Sequence, residues 1–572
     1  MGRGLTAADL EPVRQRIERI RAADRTRKRP IVCGVAGDLR GFSRHADILL
    51  LDRRPLGTSL ELTDYGHWLQ RQPRLARPGT PIWATVQTQM LPALYEQLSA
   101  LDSGRVAPTA VPYEQIGLLA RTAIGAGSRG LLFATESDFL DATDDVRRRA
   151  TAVELVNLEL ALLEPWTAAG AVQASIEAGG RGASGSVLRV SRSQLALPLW
   201  SSGGAQYSPG QPTAASLSVV IPGVPESANV HDLAPGGLGM VKNQRVTGGT
   251  QLVLEGFGLW SSLVFAQDAL LVSQLSSRTV EVGPRAAQLY RELATDKLRA
   301  AIEVRRQLPA DAVPEAEASV RLREAQDHLR MADGHLAARE HRQAIRAARQ
   351  SMRVVQMLER RHWEAAVAEL SSPVTSPGAC SFASLPWHAK LGVRIQASQY
   401  GQNQLVGGDF ERLDLLLHAG WQHMEHAVDG CQTAVDLVPE AKRSGSAGLR
   451  ITAYPADPQN PPAVVAMPPV WIITPPIPVE AGQLVVIHGY AKLAQPLVGS
   501  VDGLMIFDSI SGEGLAERIG RTGGWRPFTL FRVAPRSGAL RVTFALTGLG
   551  EASIDDLTIR TLHPGIPPAT AS

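Results

Sequence analysis

The sequence lacks the features that define several large classes of protein. Its 572 residues include only three cysteines, Cys33, Cys380 and Cys431, which are widely separated and show no zinc-motif spacing. No apolar run approaches the roughly 18 residues that a membrane-spanning helix needs. There is no GxGxxG motif after a predicted strand, no P-loop, no HExxH motif and no GxSxG motif. These absences argue against a disulfide framework, a membrane span and several nucleotide- or metal-dependent enzyme classes.

An excess of one charge is also missing, since 58 basic and 55 acidic residues give a net charge of +3. Basic residues cluster only locally, in Arg21–Arg29 and Arg342–Arg361. Both clusters lie on or beside predicted helices, where alternating charge is typical of a solvated face. We therefore expect no nucleic-acid partner.

The N-terminal segment bears on both location and completeness. Met1–Asp24 lacks the apolar core of a signal peptide, so the chain as written is expected to stay in the cytoplasm. A true start further upstream would instead allow a secreted or periplasmic protein. The segment predicts a helix before the first strand, as found in the middle of a βα series. The simplest explanation is an upstream half that once existed or is encoded elsewhere.

Four short apolar runs near the N-terminus have the rhythm of a parallel sheet. They are Pro30–Val35, Ala46–Asp52, Pro81–Gln87 and Arg129–Thr135, each followed by a polar turn and then a helical pattern. Parallel strands are buried on both faces and therefore appear as continuous apolar stretches. A closed (β/α)8 barrel has twice as many of these repeats. The sequence therefore predicts a partial (β/α) barrel over residues 1–168.

The rest of the chain changes character several times. Short alternating runs between Gly-, Pro- and Ser-rich turns predict a small antiparallel β-sandwich over 169–275. Apolar residues at helical spacing predict an α-helical hairpin or bundle over 283–371. A Ser/Pro-rich linker over 372–404, renewed strand patterns over 405–562 and a disordered tail over 563–572 follow. The predicted fold class is a multidomain protein of α/β plus all-β type.

The helical region allows a second interpretation. The apolar face of its third helix consists of Ile345, Ala348, Met352, Val355 and Leu358. Such a face is typical of packing inside a bundle, but a dimerising coiled coil has a similar pattern. A homo-oligomer formed through residues 284–370 therefore stays open as an alternative.

Four motifs of the N-terminal region occur in the order known from one enzyme family. They are Ile48–Pro55, Pro81–Gln87, Pro112–Glu114 and Gly127–Phe133. In this order they resemble the second half of bacterial TIM-barrel glycoside hydrolases. The four patterns are a strand ending in Asp, a Pro-x-Trp-x-x-x-Gln strand, a helix that begins with Pro-x-Glu and a Gly-x-Arg-Gly-Leu-Leu-Phe strand. The resemblance covers about residues 25–267 and includes the small β-sandwich as a common companion.

The resemblance implies where catalytic groups belong. In the retaining barrels of this family, two Glu residues at the ends of the fourth and seventh strands cleave the glycosidic bond. The seventh-strand position falls at Gln87 or Gln89 here. An amide hydrogen-bonds a sugar hydroxyl but neither attacks an anomeric carbon nor transfers a proton. Gln87 and Gln89 are therefore expected to bind substrate.

Carboxylates that follow strand ends are the remaining candidates for catalysis: Asp38, Asp52, Glu136 and Asp138. The hypothesis is that Asp52 and Glu136, with Gln87, line a saccharide pocket at the C-terminal face of the sheet. The alternative for Asp52 is an ion pair with Arg53 or Arg54. The alternative for Glu136 is a cap on the following helix.

The C-terminal region, about residues 405–562, resembles a second family. Its motifs are Gly407–Glu411, Gly420-Trp421, Ala447–Ala453, Gly523–Arg526 and Ile554–Leu557. In this order they resemble the β jelly-roll modules of the carbohydrate-binding type. The predicted architecture is therefore a partial (β/α) barrel, a β-sandwich, a helical hairpin or bundle and a β jelly roll.

The second resemblance implies two kinds of site. One is a structural calcium held by Asp409, Glu411, Asp555 and Asp556, since oxygen ligands suit a hard cation. The alternative is that these acidic residues only flank strand ends. The other is a sugar site, because sugars bind flat aromatic faces together with a few hydrogen bonds. Tyr490 and Trp525 are its candidate residues.

Together the two resemblances imply a carbohydrate-associated protein derived from a TIM-barrel glycoside hydrolase. The chain is expected to be truncated, with hydrolytic activity left open, and to need no cofactor for catalysis. Its expected partner is an oligo- or polysaccharide that binds to the jelly roll. The alternative is a non-catalytic scaffold or oligomerisation protein that uses the helical region.

Overall fold

The structure is a computed structural model that combines helices with parallel and antiparallel sheets. It describes residues 2, 4–24, 26, 29–102, 110–178, 182–210, 216–309 and 312–564. The chain forms two compact units. Unit 1 comprises Met1–Leu56, Glu61–Met90 and Thr109–Ala365. Unit 2 comprises Gly57–Leu60, Leu91–Pro108 and Ala366–Ser572.

The α-helices are distributed along the whole chain. In chain order they are α1 (Leu10–Ala23), α2 (Leu39–Phe42), α3 (Leu62–Arg71), α4 (Pro92–Leu101), α5 (Tyr113–Gly125), α6 (Asp144–Ala161), α7 (Glu164–Ala169), α8 (Ala269–Arg305), α9 (Glu315–Ala337), α10 (His341–Val367), α11 (Leu385–Gln396) and α12 (Leu413–Ala419). Proline lies in the first turn of α4, α7 and α11, where its missing N–H costs no intrahelical bond. Among the described residues, every helix is too short or too polar to serve as a membrane span.

The N-terminal part of unit 1 is built around a parallel sheet. Its strands are β1 (Val32–Val35), β2 (Ile48–Leu51), β3 (Ile82–Gln87) and β4 (Gly130–Ala134), paired in that order. Each of the four apolar runs of the sequence contains one of these strands. At the outer edge of β1, Leu5 forms a parallel bridge with Val35, and its N–H donates to the Gly34 carbonyl at 3.0 Å. The carboxyl ends of the four strands lie along one edge of the sheet.

Antiparallel sheets follow in unit 1. Their strands are β5 (Ala171–Ala178), β6 (Ala183–Val190), β7 (Ser193–Trp200), β8 (Ser216–Ile221), β9 (Asn229–Ala234), β10 (Gly237–Met240), β11 (Asn243–Val246), β12 (Gly249–Glu255) and β13 (Leu263–Ala266). One sheet has the order β10-β9-β13-β7-β6-β5 and the other has the order β11-β12-β8. Leu217, Val219 and Leu252 of the smaller sheet share a buried core with Phe265 of the larger one.

The helices α8 and α9 and most of α10 also belong to unit 1. The predicted apolar face of α10 is buried there, at Ile345, Ala348, Met352, Val355 and Leu358. These side chains pack inside the unit and are therefore not available to a partner helix. Oligomerisation through residues 284–370 stays a prediction.

Unit 2 consists mainly of antiparallel strands. They are β14 (Ser398–Tyr400), β15 (Gln422–Glu425), β16 (Cys431–Val438), β17 (Gly448–Pro455), β18 (Val470–Ile473), β19 (Ile477–Val479), β20 (Leu484–Lys492), β21 (Leu504–Asp508), β22 (Glu517–Ile519), β23 (Arg526–Val533), β24 (Gly538–Leu540), β25 (Val542–Leu546) and β26 (Gly550–Pro564). The larger sheet has the order β16-β17-β26-β20-β23, with β14 paired to β26, and the smaller has the order β15-β18-β25-β21-β22. Phe410, Ile451, Phe528 and Phe544 are fully buried in the core of the unit.

Helix α4 belongs to unit 2, although the sequence analysis places it in the 1–168 domain. The Gln97 side chain donates to the Val533 carbonyl at 2.9 Å and accepts the Val533 N–H at 3.0 Å. These two bonds satisfy backbone groups of β23, the last strand of its sheet, whose unpaired edge would otherwise be a liability. Ala100 and Leu101 also pack against the apolar surface of this sheet.

The segment predicted as a linker, 372–404, is ordered into secondary structure. It contains α11 and β14, and its apolar side chains Val374, Phe382 and Trp387 are buried. Burial of these side chains stabilises a helix that the Ser- and Pro-rich composition of the segment conceals. The segment is therefore part of the core of unit 2 and not a simple connection.

Two predictions fall partly on residues that the structure does not describe. Most of the predicted tail, residues 565–572, lies outside the described residues, whereas 563 and 564 belong to β26. Residues 25, 27 and 28 of the basic cluster Arg21–Arg29 also lie outside them.

Candidate functional site

The carboxyl edge of the parallel sheet brings together the two carboxylates proposed for catalysis. Arg54 binds both of them: its Nη1 donates to Glu136 Oε1 at 2.7 Å, and its Nε donates to Asp52 Oδ1 at 3.2 Å. Burial acts to lower the pKa of Arg54, but the hydrogen bonds to Asp52 and Glu136 outweigh it and raise that pKa above its ordinary value. The Asp52–Arg54 ion pair considered from the sequence is therefore present, and it extends to Glu136.

The two glutamines of this edge make bonds to the protein backbone. Gln87 is 1% exposed, its Oε1 accepts the Leu56 N–H at 2.8 Å, and its Nε2 donates to the Leu56 carbonyl at 3.3 Å. Gln89 Oε1 accepts the Glu136 N–H at 2.6 Å. Gln87 is therefore buried with both ends of its side-chain amide bonded to Leu56, and substrate binding by Gln87 stays a prediction. The bond from Gln89 fixes the turn that carries Glu136, and substrate binding by Gln89 stays a prediction.

The other two carboxylates after strand ends stabilise local turns. Asp38 Oδ1 accepts the Gly41 N–H at 3.0 Å and caps α2, and Asp138 Oδ1 accepts the Leu140 N–H at 3.0 Å. Glycoside hydrolysis needs one carboxyl group that holds a proton for the leaving oxygen. At this edge Asp52 and Glu136 both pair with Arg54, and Asp38 and Asp138 accept backbone N–H groups.

Two of the proposed calcium ligands bind one end of the loop 443–446 in unit 2. The buried Asp555 accepts the N–H of Arg443 at 2.6 Å and the N–H of Ser444 at 3.1 Å. Asp556 accepts the Ser444 hydroxyl at 2.7 Å. Burial raises the pKa of Asp555, an effect that the backbone hydrogen bonds oppose. These carboxylates therefore serve as acceptors for the loop.

Glu411 binds the other end of the same loop. Its carboxylate accepts the Ser446 hydroxyl and the Ser446 N–H, the latter at 2.9 Å, and these bonds lower the pKa of Glu411. Among the described residues, no three His, Cys, Asp or Glu side chains are placed to hold a metal ion. Of the four predicted ligands Asp409, Glu411, Asp555 and Asp556, the last three accept N–H or O–H groups of the loop. Calcium binding itself stays a prediction that a titration tests.

The outer face of the larger sheet in unit 2 changes chemistry along β20. Side chains alternate between the two faces of a strand. The face directed away from the core carries Leu484, Val486, His488, Tyr490 and Lys492. Leu484 and Val486 pack in a cluster with residues of α4 and α11. The last three side chains are only half-buried, so this end of the face is open.

The neighbouring strand β23 continues the open end of this face. Thr529 lies opposite His488 in the strand register, with His488 Nδ1 3.0 Å from Thr529 Oγ1. Trp525 directly precedes the strand and is half-buried. We name His488, Tyr490, Lys492, Trp525 and Thr529 the outer-face patch. The patch contains both aromatic residues proposed for sugar binding from the sequence.

The two aromatic rings of the outer-face patch differ in how nearby cations cover them. The Arg443 guanidinium lies 3.5 Å from the centre of the Tyr490 ring and covers one face of it. Lys492 Nζ lies 5.7 Å from the centre of the Trp525 ring, a looser contact. Burial lowers the pKa of His488, so its imidazole is neutral at pH 7 and offers one donor and one acceptor. Trp525 is therefore the better platform, whereas His488 lies beside Tyr490, with 5.3 Å between the ring centres.

Unit 1 contains a cavity of about 660 Å³ that the sequence analysis did not predict. Its walls are the turn between β9 and β10, the loop between β12 and β13, and one face of α10. Tyr113, Trp260 and Tyr290 also line it. We name it the arginine cavity because of the side chains that α10 contributes.

A buried hydrogen-bond network fixes the aromatic residues of the arginine cavity. Tyr113 donates to Glu159 Oε1 at 2.7 Å, and Tyr290 donates to the same oxygen. Arg121 Nη2 donates to Glu159 Oε2 at 2.7 Å, and its guanidinium lies 4.3 Å from the centre of the Trp260 ring. Several hydrogen bonds that converge on one buried carboxylate rigidify their surroundings. This side of the cavity is therefore preorganised.

Helix α10 lines the arginine cavity with basic side chains at helical spacing: Arg342, Arg346, Arg349 and Arg353. Steps of four, three and four residues place them on one helix face. Among the described residues, Arg342, Arg346 and Arg349 make no hydrogen bond or ion pair. The sequence analysis interpreted the cluster Arg342–Arg361 as a solvated face. The spacing was visible in the sequence, but the glycine-rich walls opposite it were not.

No protein-family model matches the sequence, and no curated protein is significantly similar to it. Among solved structures, the α-fucosidase of Thermotoga maritima in complex with fucose matches 33% of this chain and 41% of its own, with 11% identity and a TM-score of 0.24. The CBM22-1 xylan-binding domain of Paenibacillus barcinonensis Xyn10C matches 30% of this chain and 97% of its own, with 14% identity and a TM-score of 0.17. The family 11 carbohydrate-binding module of Clostridium thermocellum matches 29% and 98%, with 12% identity and a TM-score of 0.18. The matches to structures of this α-fucosidase span 41% to 57% of its chain, and all of these similarities are low.

Proposed function

We propose that the chain binds an oligo- or polysaccharide through the outer-face patch of unit 2. Trp525 supplies a flat apolar surface, while His488 and Thr529 supply hydrogen-bonding groups. This combination suits a sugar, whose C–H face packs on an aromatic ring while its hydroxyl groups need polar partners. In this proposal the sheets of unit 2 form a jelly roll, and the parallel sheet of unit 1 is part of a (β/α) barrel.

The observation that carries the proposal is the change of chemistry along one face of β20. The chain covers the apolar end of this face, Leu484 and Val486, with its own helices α4 and α11. It leaves the end with His488, Tyr490 and Lys492 open. An open surface that combines aromatic rings with fixed polar groups supports ligand binding more than packing.

At the parallel sheet we propose a structural role in place of bond cleavage. Glycoside hydrolysis needs one carboxyl group that donates a proton and a second that acts as nucleophile or base. Asp52 and Glu136 share Arg54 as their partner, and Gln87 is buried against the backbone of Leu56. These contacts support an edge that is stabilised by ion pairing.

Saccharide binding is tested by affinity electrophoresis of the full-length protein. The gels contain xylan, mixed-linkage β-glucan, mannan, pectin or a fucose-rich polysaccharide, each compared with a gel without polysaccharide. We expect at least one polysaccharide to retard the protein. Trp525→Ala is expected to weaken this binding at least tenfold, which corresponds to about 1.4 kcal/mol.

Tyr400→Ala is the matched control, because Tyr400 is an aromatic residue of unit 2 that is 53% exposed and lies outside the outer-face patch. This variant is expected to bind like the wild type. Failure of all five polysaccharides to retard the protein would overturn the proposal. Equal weakening by Trp525→Ala and Tyr400→Ala would overturn it as well.

A further inference from the structure

More basic than acidic side chains line the arginine cavity of unit 1. The basic side chains that line its described walls are Lys242, Arg342, Arg346, Arg349 and Arg353. The carboxylates that line it are Glu114, Asp232 and Glu255. Like charges one helical turn apart repel each other, so the arginine face of α10 destabilises the helix when no anion is present.

The carboxylates provide less counter-charge than their number suggests. Glu114 lies 3.2 Å from Lys297 Nζ and accepts the Gln356 side-chain amide at 2.8 Å, so its charge is already paired. Burial raises the pKa of Asp232, an effect that Arg349 opposes. Burial and the nearby charge of Arg349 lower the pKa of Arg353. Burial also acts to lower the pKa of Arg349, but Tyr290, Tyr113, Asp232 and Glu159 together raise it.

The remaining walls of the arginine cavity suit a small organic molecule. Leu254, Phe257 and Met352 provide apolar lining beside the charged face. A Cβ atom at Gly236 would lie 3.3 Å from Arg342 Cα, so glycine at this turn lets the β9–β10 wall approach α10 closely. A volume of 660 Å³ lies within the range of small-molecule pockets, about 300–1,000 Å³.

We propose that the arginine cavity binds a small organic oxyanion with at least two negative charges, either a phosphate ester or a polycarboxylate. Its oxygen atoms accept hydrogen bonds from Arg342, Arg346 and Arg349. Guanidinium groups bind phosphate and carboxylate oxygens in paired, charge-assisted hydrogen bonds. The uncharged part of the ligand lies against Leu254 and Phe257. This site lies in unit 1 and does not depend on saccharide binding by unit 2.

The proposal is tested by isothermal titration calorimetry of the full-length protein. The probes are inorganic pyrophosphate, citrate, glucose 6-phosphate and, as the uncharged comparison, glucose. We expect at least one charged probe to bind and glucose not to bind. Preference for the phosphorus-containing probes or for citrate identifies the class of anion. Arg349→Gln is expected to weaken binding at least tenfold.

Arg361→Gln is the matched control, because Arg361 also lies on α10, is 57% exposed and does not line the cavity. Its affinity for the charged probe is expected to be unchanged. Arg346→Gln provides a second variant if Arg349→Gln does not fold. Absence of heat from every charged probe at millimolar concentration would overturn the proposal. Equal loss of affinity in Arg361→Gln and the cavity variants, or equal binding of glucose and glucose 6-phosphate, would also overturn it.

Discussion

Arg532 and Asp508 form an ion pair in the interior of unit 2, with Arg532 Nε 2.9 Å from Asp508 Oδ2 and both side chains fully buried. The other nitrogens of the guanidinium donate to the carbonyls of Val374 and Leu515, at 3.0 Å and 2.8 Å. Asp508 Oδ1 accepts the Ile510 N–H at 3.0 Å. The pair therefore connects β21 and β23 with the segment that precedes α11.

Replacing one member of this pair is expected to destabilise unit 2 strongly. Arg532→Met leaves the Asp508 charge buried without its partner, which costs about 3–5 kcal/mol in comparable pairs. Asp508→Asn is expected to cost a similar amount. Urea unfolding followed by circular dichroism measures both variants and the double variant. The double variant should lose clearly less than the sum of the two single losses; additive losses would contradict an energetic coupling.

The Gln87 position tests whether the parallel sheet lacks only a carboxylate. The glycoside hydrolase resemblance implies a catalytic Glu at Gln87 or Gln89, so Gln87→Glu restores the expected residue type. We still expect no release of nitrophenol from aryl glycosides. A carboxylate at this position is buried and lies against the Leu56 carbonyl, which the native amide satisfies as a donor. The variant is expected to lose about 1–3 kcal/mol of stability, because a carboxylate oxygen would then face the Leu56 carbonyl oxygen with no proton between them.

Gln89→Glu is the comparison for this experiment. Gln89 is only partly buried, so its variant is expected to be more stable than Gln87→Glu and equally inactive. Hydrolysis by Gln87→Glu, above the rate of the wild type, would show that the edge retains a working proton donor. That outcome would contradict the structural role proposed for Asp52 and Glu136.

The sequence predicts those parts of the fold in which local pattern and final environment agree. The four N-terminal strands appear as apolar runs because parallel strands are buried on both faces. Helix α11 escapes prediction because its apolar residues, among them Leu385, Trp387 and Leu391, directly follow a Ser- and Pro-rich stretch. Its burial depends on strands that are distant in sequence.

In the candidate sites, too, some residues have a local sequence signal, whereas others depend on contacts between distant parts of the chain. Trp525 and Tyr490 are named from the sequence as candidate sugar-binding residues because sugars bind flat aromatic faces, and that role stays a prediction. The contacts of Gln87 have no such signal, because its partner is the backbone of Leu56, a group that every residue has. The arginine face of α10 could be recognised by its spacing. Whether such a face meets solvent or a cavity wall depends on the turn at Gly236, which no local pattern reveals.

The loop 443–446 is expected to depend on Glu411 and not on a metal ion. Gly445 has a φ of +65°, and a Cβ atom there would lie 1.7 Å from Glu411 Oε1. Glu411→Gln and Gly445→Ala are both expected to lower the melting temperature of the full-length protein. Calcium chloride and EDTA are expected to leave the wild-type melting temperature unchanged. A rise with calcium that Asp555→Asn abolishes would instead establish the structural calcium implied by the sequence resemblance.

The buried His362 of α10 is expected to make the stability of unit 1 depend on pH. Burial, together with the charge of Arg305, lowers the pKa of His362 to about 4. The unfolded chain binds a proton at the ordinary histidine pKa of about 6.5, so its protonation favours unfolding as the pH falls from there towards 4. The stabilising effect of the neutral imidazole is therefore complete above pH 6.5 and is lost progressively below it.

Thermal unfolding at pH 7.5 and pH 5.0 should show a smaller acid-induced decrease in melting temperature for His362→Gln than for the wild type. His67→Gln replaces an exposed histidine of the same unit and should behave like the wild type. An equal acid-induced decrease in melting temperature for the wild type and both variants would show that another group causes the pH dependence.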